Sequence, residues 1–68
     1  MKYPTVGNRV RVLEVTDEEN LEYLTPGNLY DVVSKPGTDN SFEIVGDQGQ
    51  RLYCRFPVCL HAAWEIAE

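Results

Sequence analysis

Apolar and polar residues alternate in short runs along this chain, and glycine, proline and asparagine punctuate the runs. After the turn signal Val6-Gly7-Asn8, the segment Arg9-Val10-Arg11-Val12 alternates strictly. It predicts a half-buried strand with Val10 and Val12 inward. At Leu13-Glu14-Val15 the apolar phase slips by one residue. A bulge or sharp bend at Leu13 accounts for the slip, and a small barrel needs such bends to close. Leu29 to Ser34 is a second strand, rich in β-branched and aromatic residues, and Ser41 to Val45 a third with Phe42 and Ile44 on one face. Gly46-Asp47-Gln48-Gly49 is the clearest hairpin signal, returning the chain as a fourth strand from Gln50 to Cys54. Pro57 breaks that strand, residues 58–61 fit a short 3₁₀ turn, and Trp64-Glu65-Ile66 closes as a fifth strand. Ala62, Ala63 and Ala67 favour helix there, but so short an uncapped segment makes a poor one.

Residues 17–24 read two ways. Thr16 and Glu19 match a capping box, and Leu21 and Leu24 lie three apart, as in a helical turn; Pro26-Gly27 then stops it. An ordered loop containing a helical turn is the preferred reading, with Leu21 and Leu24 tucked onto the barrel. Helix against loop stays open. Five short strands with turns between them and no long helix predict an all-β chain, a small five-stranded barrel that takes up residues 1–68 as one domain.

The succession Val6-Gly7-Asn8-Arg9-Val10-Arg11-Val12, Pro26-Gly27-Asn28-Leu29-Tyr30-Asp31-Val32-Val33, Phe42-Glu43-Ile44-Val45, Asp47-Gln48-Gly49 and Trp64-Glu65-Ile66 resembles SH3-like small barrels. More narrowly it is similar to the small accessory proteins of bacteriophages and prophages, which carry a G-x-x-V-x-V … PG-x-x-Y-x-V … D-x-G … W-E-[IV] layout. The motifs are turns and core positions, so they speak to fold far more than to function. The resemblance implies a binding module whose partner is a host or phage protein, which it inhibits or modulates in the bacterial cytoplasm. The chain lacks the Ala-Leu-Tyr-Asp-Tyr segment of peptide-binding SH3 domains, and its tryptophan stands in the last strand. A proline-rich ligand is therefore not expected.

Charge adds a second pattern. The net charge of −5 disfavours contact with nucleic-acid phosphates, which basic residues must neutralise. Glu14, Asp17, Glu18, Glu19 and Glu22 form an acidic run, whereas residues 50–61 hold Arg51, Arg55 and His61 and no acid. The ordinary fate of a charge run is a solvated loop. Its functional reading is a docking surface for a protein partner, formed by Asp17, Glu18, Glu19 and Glu22, with Tyr23 and Tyr30 as aromatic anchors. The alternative is a single-stranded nucleic-acid face of Arg9, Arg11, Arg51, Tyr53 and Arg55, which requires their strands to be neighbours. Against it stands cross-strand pairing of the arginines with Glu14, Glu43 and Glu65.

Catalytic chemistry finds little here. Cys59 and His61 are two apart, without an evident third group to orient the histidine or a glycine-rich oxyanion loop, so no enzyme is expected. Cys54, Cys59 and His61 are the weak candidates for a zinc-stabilised module. Their C-x4-C-x-H spacing matches no standard knuckle, and a fourth ligand would have to be Glu65 or a second copy of the chain. Two buried small hydrophobes are the simpler reading of the cysteines. A Cys54–Cys59 disulfide would not persist in a reducing compartment. No cofactor, signal peptide or membrane-spanning run is expected, and the chain reads as a cytoplasmic monomer or weak homodimer.

Overall fold

Five antiparallel strands make one curled sheet, a half-barrel, with almost no helix. The strands are β1 (Arg9–Val15), β2 (Leu29–Ser34), β3 (Ser41–Val45), β4 (Arg51–Arg55) and β5 (Ala62–Ala67), in the order β4-β3-β2-β1-β5. The structure is a computed structural model and describes residues 3–37 and 39–67.

The phase slip at Leu13 is a bulge. Where β1 pairs with β5, Val12 lies opposite Trp64 but Glu14 lies opposite Ala63, leaving Leu13 as the extra, exposed residue. β2 is shared between two ladders: Val10 of β1 faces Tyr30, and Val32 faces Ile44 of β3. A strand that leaves one partner for another along its length curls the sheet on itself. The β3–β4 hairpin is regular from Ser41↔Arg55 to Val45↔Arg51. Gly46 N–H closes it on the Gln50 carbonyl at 2.8 Å, and Gly49, at φ +87°, supplies the left-handed turn residue that a side chain would resist.

Alternation places one residue in two on the concave face. Val10 and Val12 of β1, Phe42 and Ile44 of β3, and Ala62 and Trp64 of β5 are all buried there. Trp64 is the centre of that core. Phe42 meets it edge-on at 5.5 Å and 85°, and Tyr30 at 6.3 Å and 88°, the arrangement aromatic quadrupoles favour. Leu24, from outside the sheet, closes the open side and is fully buried.

Three expectations are corrected. Residues 17–24 contain a 3₁₀ helix, Glu18–Glu22, whose cap is Asp17 and not Thr16: the Asp17 carboxylate accepts the Glu19 N–H at 3.1 Å. Thr16 is unavailable as a cap because its hydroxyl donates to the Leu60 carbonyl. Leu21 is exposed, and Asn20 takes the inward position beside Leu24, because the 3₁₀ repeat presents a different face from the α-helical one. Finally, residues 58–61 are not a 3₁₀ turn. They fold back against β5, with a bridge between Val58 and Ala63 and bonds from Cys59 N–H to Ala62 and from Trp64 N–H to Pro57. Pairing with the edge of β5 satisfies more backbone groups than an isolated turn would.

Candidate functional site

The chemistry-bearing residues gather at one end of the half-barrel, where the 3₁₀ helix leans on residues 57–61. Asn20 holds the two together. Its buried amide donates to the carbonyls of Leu60, at 3.1 Å, and His61, at 2.8 Å. With both N–H bonds committed to carbonyls, its oxygen can only accept, and it accepts the Tyr23 hydroxyl proton. The Tyr23 oxygen, 3.0 Å from His61 Nδ1, is then left to accept from the ring. The network therefore assigns the proton on His61 to Nδ1 and ties the ring to Tyr23, away from sulfur chemistry.

Outside this network lies the acidic run. Glu18, Glu19 and Glu22 project from the 3₁₀ helix and are exposed, as are Glu14 and Asp17. None of them pairs with a lysine or arginine among the described residues. The expected anchors behave differently. Tyr30 is in the core, its hydroxyl accepting from Thr25 N–H at 2.7 Å and donating to Asp47 at 2.9 Å. Tyr23 is half-buried in the Asn20–His61 network. Burial raises the ionisation of both phenols above the ordinary value. Asp47 also accepts from the Thr25 hydroxyl at 2.7 Å, so the β3–β4 turn is pinned to the segment that leads into β2.

The arginines do not form one face. Two strands, β2 and β3, separate β1, which carries Arg9 and Arg11, from β4, which carries Arg51, Tyr53 and Arg55. Each arginine has an acid instead: Arg11 with Glu65 at 2.7 Å, Arg51 with Glu43 at 3.3 Å, Arg55 with Asp39 at 3.5 Å and Arg9 with Asp31 at 3.7 Å. Glu43 and Glu65 were legible as partners from alternation, whereas Glu14 takes no such part. Lys35 is equally occupied, donating to the carbonyls of Pro4, Asp39 and Ser41.

The feature that spacing alone did not reveal is at the sulfur atoms. The Cys54 thiol, in the core, donates to the Leu52 carbonyl at 3.8 Å, whereas Cys59 is partly exposed and packs against the same core. The His61 N–H points at Cys59 Sγ, at 3.4 Å. Trp64 is 2 % exposed, and its indole N–H has no hydrogen-bond partner among the described residues. Coupling of the two thiols lowers the ionisation of Cys59 below the usual thiol range, and the same coupling together with burial raises that of Cys54. Above Cys59 opens a pocket of about 360 Å³ lined by Tyr53, Arg55, Val58, Leu60 and His61. Leu60 at its rim is 91 % exposed.

Among the described residues no three histidine, cysteine or carboxylate side chains, Cys54, Cys59 and His61 included, converge as a ligand set. The imidazole is engaged by Tyr23, and only the backbone of His61 reaches sulfur. Among the described residues, no helix is long and apolar enough to cross a membrane. Comparison of the chain with family models, with curated proteins and with solved structures finds no match in any of the three.

Proposed function

We propose that this chain is a non-enzymatic protein-binding module of SH3-like type, a phage or prophage accessory protein that docks on a host or phage protein and modulates it. The observation that carries the reading is the sorting of charge. Arg9, Arg11, Arg51 and Arg55 are matched by acids, and Lys35 is spent on carbonyls, so little positive charge is left for phosphates. Asp17, Glu18, Glu19 and Glu22 keep their charge uncompensated on a segment whose backbone is braced from behind by Asn20. A braced acidic surface attracts a basic partner early in the encounter and discriminates against acidic ones. Tyr23 serves this surface from beneath, as a brace, and Tyr30 as core.

Affinity capture from a bacterial lysate, with and without nuclease, tests the reading against the triple variant E18K/E19K/E22K. The expected result is a specific basic protein, retained after nuclease, released by salt and lost from the variant. Full retention by the variant, or capture that nuclease abolishes, overturns the proposal.

A further inference from the structure

We propose that the outer edge of β4 docks an extended acidic peptide of a partner protein, which adds a strand to the sheet and seats one large apolar side chain in the pocket above Cys59. β4 is the last strand on its side of the sheet. Its ladder with β3 shows which of its backbone groups are left over. The Gln50 carbonyl accepts from Gly46, and the Phe56 N–H donates to the Asn40 carbonyl, so the even-numbered residues between them bond to β3. The N–H and C=O groups of Arg51 and Tyr53 therefore point away from β3, and among the described residues no backbone bond outside the ladder takes them up. β4 carries neither a proline nor a bulge, two devices that commonly close an exposed edge. A row of unpaired donors and acceptors at strand spacing is matched by another strand, and not by a run of phosphates.

Charge and shape say what that strand carries. Arg51, Tyr53 and Arg55 alternate with buried Leu52 and Cys54, so their side chains share the outer face. Residues 50–61 contain no acid. The acids that meet these arginines, Glu43 at 3.3 Å and Asp39 at 3.5 Å, come from β3 and the loop before it. Each arginine keeps more than half of its side chain exposed and has donors to spare. A carboxylate arriving from the open side therefore joins the row without displacing the first. A second copy of this chain does not fit. Antiparallel pairing of two β4 edges about Tyr53 would set Arg51 against Arg55 of the other copy, and like charges directly opposite destabilise a ladder. The pocket lies at the Arg55 end of the edge, about 360 Å³ between Tyr53, Arg55, Val58, Cys59, Leu60 and His61. Val58, Leu60 and Tyr53 are exposed around it. It has room for one aromatic or leucine-sized anchor, the kind of contact on which a small interface concentrates its affinity. These residues are distinct from the acidic surface on the 3₁₀ helix, and neither site needs the other.

The probes are three capped peptides of about seven residues, the length of an ordinary strand. Threonine fills every second position, and two glutamates and one phenylalanine fill the others, with phenylalanine first, middle or last. Titration into the full chain is followed by amide NMR shifts and hydrogen exchange. At least one peptide should bind, with shifts centred on residues 50–61 and new protection at the Arg51 and Tyr53 amides. Lysine in place of the glutamates should weaken binding about tenfold, as should R51Q/R55Q. V58S/L60S, at exposed positions, should weaken it about threefold or more. Methylating the backbone nitrogens of alternate peptide residues should abolish binding for one set and spare it for the other, since a strand turns only every second N–H toward its neighbour. E18K/E19K/E22K should bind within about twofold of wild type, which separates this site from the acidic one. The peptide changes leave the protein untouched and decide alone if a variant does not fold. No binding at millimolar peptide, equal binding of the lysine peptides, equal effects of the two methylated sets, or shifts centred elsewhere overturns the proposal. So does self-association through the same amides, or an oligothymidylate that occupies them more tightly than the peptides.

Discussion

The hairpin of β3 and β4 is paired residue for residue, Ser41 opposite Arg55 through Val45 opposite Arg51. The adjoining cap, where residues 57–61 meet the 3₁₀ helix, is joined by a single bridge, a few backbone bonds and the side chains of Thr16, Asn20 and Tyr23. Apolar burial supports the first region, and satisfied polar groups support the second. Burial is non-directional and tolerates approximate geometry. A polar network is all-or-none, since each bond removed strands a partner in a poor solvent. The two regions should therefore fail in different ways when cut, and the cap, not the hairpin, carries the acidic surface.

The largest effect is expected in the sheet. Phe42→Ala removes a fully buried ring that packs edge-on against Trp64, and such truncations cost about 3–5 kcal/mol. In a chain this small that approaches the whole stability, so urea denaturation should show a protein largely unfolded without denaturant. A well-folded Phe42→Ala would mean that the hairpin is not supported by burial, and the contrast between the regions would collapse. Asn20→Ala is the matching cut in the cap. It takes one of two partners from each of the Leu60 and His61 carbonyls and the Tyr23 hydroxyl, which keep only Thr16 and the His61 ring, at a cost of about 1–3 kcal/mol. Hydrogen exchange should show the loss to be local: the Thr16 amide, bonded to the His61 carbonyl, loses protection, while amides of β3 and β4 keep theirs. Uniform loss across both regions would make them one cooperative unit.

The same division explains what was legible in the chain. The strands could be read because alternation is a local pattern: Val10 and Val12, Phe42 and Ile44, and Leu52 and Cys54 each declare a face without reference to the rest of the fold. Even the bulge at Leu13 shows as a break in that period. The cap could not be read. Asn20 looks like any polar residue in an acidic run until its amide is seen on carbonyls 40 and 41 residues away. Thr16 had the right type for a cap but was taken by Leu60, a tertiary contact that outweighs a local motif. The packing of Cys59 against the core depends on how residues 57–61 return along β5, and no spacing rule contains that path. The arginine face failed for a related reason. Alternation gives the direction of each side chain, but strand order decides which side chains are neighbours, and β2 and β3 come between β1 and β4.

A smaller, pH-dependent effect distinguishes the regions through their tyrosines. Tyr30 sits at the joint of the sheet, where burial and then its bond to Asp47 raise its ionisation, against the opposing Thr25 N–H; Tyr23 sits in the cap, raised first by burial. A phenol whose folded value is raised binds its proton more tightly folded than unfolded. Its contribution is present in full below the unfolded value of 10.0 and is lost as pH rises through the folded one. Stability measured by urea titration should therefore fall above about pH 10. Tyr30→Phe and Tyr23→Phe should each flatten that fall, the first seen in global unfolding and the second in cap amides. An alkaline profile unchanged in both would show that neither hydroxyl is held as described.

The smallest effect on stability is expected where the largest effect on binding is proposed. Glu18, Glu19 and Glu22 are exposed and, among the described residues, have no cationic partner to lose. Reversing them in E18K/E19K/E22K removes like-charge repulsion with Glu14 and Asp17 and should shift stability by no more than about 0.5 kcal/mol, toward greater stability if at all. On the sheet the sign is opposite. Arg11→Glu breaks the 2.7 Å pair with Glu65 and sets two carboxylates across the β1–β5 ladder, so it should destabilise by about 0.5–1 kcal/mol. Added salt should shrink both differences by screening. Measured side by side, the pair separates charge that supports the fold from charge that does not. A triple variant as destabilised as Arg11→Glu would make the acidic surface structural, and its charge would then be no argument for a partner.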